Sequence, residues 1–179
     1  MFSIRLSGDS APVSNPITSY RRFHMKGDQE TATPWSLFDI YNKRFGPFTI
    51  DVCASKANTK CRIFISKETT NALKVHWPYG SVAWMNPPFG GLYDWMQKAY
   101  LSARDDGCTV VCLVPCWTSD RWFHQFCSRA EIIFLRDRVH FVDADGGDKG
   151  GFPTPIMIVV FRPDDDRLRV SFAHHAMKG

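Results

Sequence analysis

The sequence predicts an α/β fold, a mainly parallel sheet flanked by helices. Short apolar runs of strand length alternate with segments of helical period over most of the chain. The run from Thr109 to Val114 is almost wholly apolar, as suits a strand buried on both faces. Polar or proline-bearing turns follow the runs, so functional groups fall at the carboxyl ends of strands, where open α/β sheets bind ligands. With 179 residues and 44% hydrophobic content, the chain suffices for one compact domain and is short for two. The expected division is an irregular basic arm over residues 1–30 and a single domain over 31–179.

Residues 1–30 mix Ser, Gly, Pro and Asn with charges and show no period; they carry Arg21, Arg22, His24 and Lys26. Thr33-Pro34 reads as an N-cap followed by proline at the first helical position. Pro34, Phe38, Tyr41 and Phe45 then keep helical spacing until Gly46-Pro47 stops the run. Strands are expected over Phe48 to Cys53, Arg62 to Ile65 and Val82 to Met85. Leu92, Trp95, Met96, Ala99, Tyr100 and Ala103 mark a helix packed on one face. Pro115 closes the strand that begins at Thr109. Ser119 or Asp120 is placed to cap a helix through Trp122, Phe123 and Phe126. Ile132 to Leu135 and Ile156 to Phe161 add two strands, separated by a loop from Asp143 to Gly151, and one more fits around Leu168 to Phe172.

The most specific stretch is Asn86-Pro87-Pro88-Phe89, directly behind Val82 to Met85 and ahead of Gly90-Gly91. Its prolines fix φ and remove two donors, so the segment continues neither strand nor helix and becomes a rigid elbow. The Asn86 side-chain carbonyl and the Pro87 main-chain carbonyl are two acceptors able to hold both hydrogens of one exocyclic amine. Phe89 is placed to stack on the ring that bears it, as in sites that take a base out of a duplex. This chemistry suits methyl transfer onto a planar amine. Asp51, near the carboxyl end of an earlier strand, is the best acidic candidate. The small residues Val52-Cys53-Ala54-Ser55 let a ligand approach the backbone behind it. Neither a GxGxxG nor a P-loop pattern occurs, which argues against a dinucleotide or phosphoryl-transfer site. A carboxylate paired with ammonium and hydroxyl groups suits a sulfonium cofactor better than a pyrophosphate.

Net charge is +4, and residues 1–80 hold 11 Lys/Arg against 6 Asp/Glu while 81–179 hold 11 against 12. That asymmetry favours a polyanionic partner and equally fits a solvated basic surface. The six cysteines form no CxxC pair, so reduced thiols are expected and no metal site. No run of signal-peptide length follows Met1 and no 18-residue apolar stretch occurs. A soluble cytoplasmic protein without membrane contact is expected.

Taken together, these residues resemble the phage-type DNA N6-adenine methyltransferases, often called Dam-like, over Thr33 to about Phe161. The likeness runs through Thr33-Pro34, Phe45-Gly46-Pro47-Phe48, Asp51-Val52-Cys53-Ala54, Asn58, Cys61, Leu73, Trp77 and the Asn86 to Phe89 elbow. It continues in Leu113-Val114-Pro115, Trp122-Phe123-His124 and the Phe-Leu-x-x-Arg-x-x-Phe stretch from Phe134 to Phe141. The resemblance implies a Rossmann-like S-adenosylmethionine-dependent methyltransferase fold, a mainly parallel sheet with helices on both faces. S-adenosylmethionine would contact Thr33 and Asp51 to Ala54 at its methionine end and Glu68 or Asn71 near its adenosine, with Pro34 and Asn58 as further cofactor-binding candidates. The family usually has Asp at the position of Asn71, often Tyr at Phe89 and Gly at Asp137.

The resemblance further implies double-stranded DNA as partner and a phage or prophage origin, with action in the bacterial host cytoplasm. Asn86, Pro87, Pro88 and Phe89 would form the catalytic elbow around a flipped adenine. Arg21, Arg22, Arg121, Arg136 and Arg138 are candidates for contact with DNA, and for Arg121, Arg136 and Arg138 a plain solvated arginine is as good a reading. A monomer is expected, although the oligomeric state is not encoded legibly. Other readings use the same elbow: N4-cytosine methylation, methylation of RNA or of a protein glutamine amide, and an inactive DNA-binding module of the same fold.

Overall fold

The computed structural model describes residues 32–143, 146–165 and 167–173; the basic arm, with Arg21 and Arg22, lies outside them. Seven strands form one sheet in the order β2-β1-β3-β4-β8-β5-β9: β1 (Ile50–Asp51), β2 (Ile63–Phe64), β3 (Val82–Met85), β4 (Thr109–Pro115), β5 (Glu131–Leu135), β8 (Ile156–Phe161) and β9 (Arg169–Ala173). All neighbouring pairs are parallel except those of β8, which runs antiparallel to both β4 and β5. A separate two-stranded ribbon pairs β6 (His140–Val142) with β7 (Asp148–Gly151). Three helices complete the described fold: α1 (Trp35–Phe45), α2 (Leu92–Asp106) and α3 (Arg121–Phe126).

Alternation along the strands divides the core between the two faces of the sheet. Trp84, Val111, Leu113, Ile133 and Ile158 pack under Leu37, Phe38 and Tyr41 of α1. Their neighbours Ala83, Met85, Val110 and Cys112 face Met96 and Ala99 of α2 and Trp122 and Phe126 of α3. Helices thus cover both faces, as expected, and β4 and β8 are buried almost throughout. All six cysteines are free thiols.

Several element boundaries differ from the sequence expectation. Thr33 does not cap α1: Pro34 takes the cap position without a side-chain bond, and the Thr33 hydroxyl is buried with no partner among the described residues. The strand expected over Phe48 to Cys53 shrinks to Ile50–Asp51. Inside the expected Asp143 to Gly151 loop, β7 forms although it has no apolar side chain to signal it. At Gly46, which caps α1, the backbone and side chain of Asn42 crowd the space a Cβ would fill. The Asn42 side-chain oxygen accepts the Phe48 N–H at 2.7 Å, which fixes the turn into β1.

Candidate active site

The chain leaves β1, adds β2 on one side, and returns to lay β3 on the other. Strand order therefore reverses between β1 and β3, and a crevice opens at their carboxyl ends, the favoured ligand position in open α/β sheets. Register aligns the two ends: Asp51 lies opposite Trp84, and the Val52 N–H donates to the Trp84 carbonyl at 3.0 Å. Asp51 is the last residue of β1, and Asn86 follows the last residue of β3.

Both line one recess, together with Thr33, Cys53 and Asn58. Five residues singled out in the sequence thus meet, from three segments far apart in the chain. Ala32, Lys60 and Trp84 complete the lining. Sequence reasoning passed over Lys60, which sits in a polar turn and looks like any solvated lysine. It assigned Trp84 to the core, and the ring is indeed packed against Phe38 and Phe48 while also facing the recess. The recess encloses about 10 Å³, room for the centre of about one water molecule.

Asp51 is 4% exposed. Burial pushes its carboxyl up to about 6, against the pull of the backbone N–H groups of Lys60 and Cys53. Those groups donate to Asp51 Oδ2 at 3.0 Å and Oδ1 at 3.3 Å. Asn58 Oδ1 accepts the Ser55 N–H at 2.7 Å and so braces the loop that carries the Lys60 donor. Behind Asp51, Val52 is buried, and the Ala54 N–H donates to the Ile65 carbonyl, tying the loop to β2. Pro34 stands half-buried at the start of α1.

In the elbow, Pro87 is buried, Pro88 exposed, and Asn86 and Phe89 half-buried. Phe89 begins a single helical turn, Phe89–Gly91, that leads into α2. Trp117, Phe141 and Phe152 meet its ring at 75°, 64° and 76°, so none of the three lies flat on it.

Other candidates lie outside the recess. Glu68 is exposed and bonded to Ser66, which holds its carboxyl below the usual range. The Asn71 side-chain oxygen accepts the Leu73 N–H at 3.0 Å, a turn-forming role. Arg121 stands exposed over the Tyr93 ring. Arg138 donates to the carbonyls of Phe152 and Pro153, bracing the ribbon root. Arg136 is exposed just beyond β5. His76 and His140 contact Asp106 and Asp148. No group of three His, Cys, Asp or Glu able to hold a metal occurs among the described residues. None of the described helices is long and apolar enough to cross a membrane.

A larger cavity of about 190 Å³ lies at the opposite end of the sheet, beside Tyr100, Arg104, Arg129 and Arg162. Its cations are already engaged: Arg104 by Asp105, Arg162 by Glu131, and Arg129 by the Tyr100 hydroxyl. The residues singled out in the sequence gather instead at the smaller recess.

The family model described as DNA N-6-adenine-methyltransferase (Dam) matches residues 23–178. A protein named DNA N-6-adenine-methyltransferase from Haemophilus phage HP1 (strain HP1c1) is 32% identical over 143 residues, covering 77% of this chain and 82% of that protein. One of the same name from Escherichia phage T1 is 28% identical over 117 residues, covering 65% of this chain and 48% of that protein. Among solved structures, a predicted O-methyltransferase from Agrobacterium tumefaciens matches with a TM-score of 0.42 and 12% identity, over 73% of this chain and 80% of that one.

Proposed function

Since this chain belongs to the DNA N-6-adenine-methyltransferase (Dam) family, we propose that it methylates the exocyclic amine of adenine in double-stranded DNA, using S-adenosylmethionine. The observation that carries this reading is the Asn86 to Phe89 elbow at the carboxyl end of β3, whose Asn86 shares one recess with Asp51 and Thr33.

The residues lining the recess suit the charged end of the cofactor. Asp51 is a buried carboxylate suited to an ammonium group, and the Thr33 hydroxyl is buried without a partner among the described residues. A ligand supplying polar atoms there would relieve that unmet demand. S-adenosylmethionine, when bound, supplies an electrophilic methyl group.

The chain's own contribution is to hold the amine. The Asn86 side-chain carbonyl and the Pro87 carbonyl accept its two hydrogens, which leaves the nitrogen lone pair directed away from both acceptors. Rigid φ angles at Pro87 and Pro88 keep those acceptors in place without reorganisation, so the gain is one of positioning and preorganised electrostatics. Phe89 offers an aromatic surface for the base, and its three ring neighbours hold it from the side. No histidine base enters this scheme: His76 and His140 are engaged by carboxylates, and His124 lies on the exposed side of α3.

The experiment is transfer of labelled methyl from S-adenosylmethionine to unmethylated duplex DNA, RNA and a protein lysate in parallel, with the modified product identified. N6-methyladenine in DNA is expected. N4-methylcytosine, or label confined to RNA or protein, would replace this reading with another.

A further inference from the structure

Lys60 lines the same recess as Asp51 and Thr33 yet has no role in the scheme above. Its backbone N–H serves Asp51, but its ammonium forms no ion pair and no hydrogen bond among the described residues. It stands instead over the ring of Trp35, 4.3 Å from the centroid. A cation held on a ring face keeps only part of what a carboxylate partner would give it. Burial lowers the lysine's affinity for its proton, opposed by the fields of Asp51 and Asp39. Asp51 accepts two backbone donors, and although its charge and that of Lys60 attract, the ammonium makes no hydrogen bond to it among the described residues.

The residues lining the recess therefore bring together a buried anion, an orphaned hydroxyl and a lysine whose ammonium, beside the recess on the Trp35 ring, has no hydrogen-bonding partner among the described residues. That pattern is complementary to a zwitterion, in which an ammonium and a carboxylate are carried on one carbon. A simple anion would meet repulsion from Asp51, and a simple cation would meet it from Lys60.

We propose that Lys60 is the carboxylate-binding residue of the site, turning from the Trp35 ring to the α-carboxylate of the cofactor while Asp51 takes its α-ammonium. The assignment rests on the S-adenosylmethionine reading above and makes it specific at one end of the ligand. Trp35, 56% exposed on the first turn of α1, is in this view the resting place of the ammonium when the site holds no ligand.

Calorimetry separates this role from a structural one. Two probes are titrated into wild-type protein, Lys60→Met and Lys60→Arg: S-adenosylmethionine and its decarboxylated analogue, which lacks only the α-carboxylate. Lys60→Met is expected to weaken S-adenosylmethionine binding by about tenfold to a hundredfold, as loss of a charged hydrogen bond does. It should leave the analogue within about twofold, so that the wild-type preference between the two ligands disappears. Lys60→Arg keeps the charge and should restore most of that preference. Equal losses for both ligands, or no loss for either, would overturn the assignment. If the wild-type protein binds neither probe, the cofactor reading itself falls and takes the assignment with it, an outcome recognisable without any variant.

Discussion

At the residue scale, Asp51 is under two opposed demands. Folding buries the carboxylate and raises its affinity for a proton, whereas an ammonium ligand requires it ionised. Its folded value of about 6 lies above the ordinary carboxyl value of 3.8, so the native state binds the proton more tightly than the unfolded chain does. Stability from this group is complete below about pH 4 and is lost as pH rises through 6, by roughly 3 kcal/mol for a shift of about two units. Asp51→Asn gives up one backbone acceptor at every pH but removes the charge, so its melting temperature relative to wild type should rise as pH goes from 4 to 7; thermal unfolding across that range checks it. Cofactor affinity should move opposite to wild-type stability. It should hold above pH 6 and fall about tenfold per unit below it, because the ligand binds the ionised form; calorimetric titration at pH 5, 6 and 7 measures this. A flat profile would mean that Asp51 does not meet the ammonium.

At the element scale, Gly46 links α1 to the site. A methyl group there would meet the backbone and amide of Asn42, the same amide that accepts the Phe48 N–H and sets the approach to β1. Gly46→Ala should destabilise the fold by about 1–3 kcal/mol, as crowding in a packed turn does. Urea unfolding would detect it as a lower midpoint with an unchanged slope. The same level explains what was legible beforehand. Helix α2 could be read because Leu92, Met96, Ala99 and Ala103 share one face, and β4 because its apolar run leaves no polar side to turn outward. The elbow was legible since two prolines exclude both regular structures. In contrast, β7 is formed by Asp148-Lys149-Gly150-Gly151, whose pairing with β6 comes from main-chain bonds that leave no apolar pattern. Thr33 looked like a cap because its type and spacing fit one, but Pro34 takes that position and Thr33 lines the recess with Asp51. Lys60 was invisible as a site residue because only the fold reveals that its turn closes over the end of β1.

At the scale of the whole molecule, the reversal of strand order between β1 and β3 gathers Thr33, Asp51, Asn58, Lys60 and Asn86 from more than fifty residues of chain. The exposed Arg121 and Arg136 follow β4 and β5, on the same carboxyl side of the parallel strands as the elbow. A duplex approaching that side would be held largely through phosphate contacts, whose strength depends on counterion release. DNA affinity should fall roughly linearly in log–log terms as salt rises from about 50 to 200 mM. Fluorescence anisotropy of a labelled duplex measures the slope; binding indifferent to salt would instead favour a protein substrate.

The division of labour across the recess is tested most directly with Asn86→Ala, by measuring single-turnover methyl transfer to duplex DNA beside calorimetric binding of S-adenosylmethionine. Turnover should drop on the order of a hundredfold or more while cofactor affinity stays within a few-fold of wild type, as loss of one preorganised acceptor would give. Full activity in that variant would contradict the assignment of the elbow as the group that holds the amine.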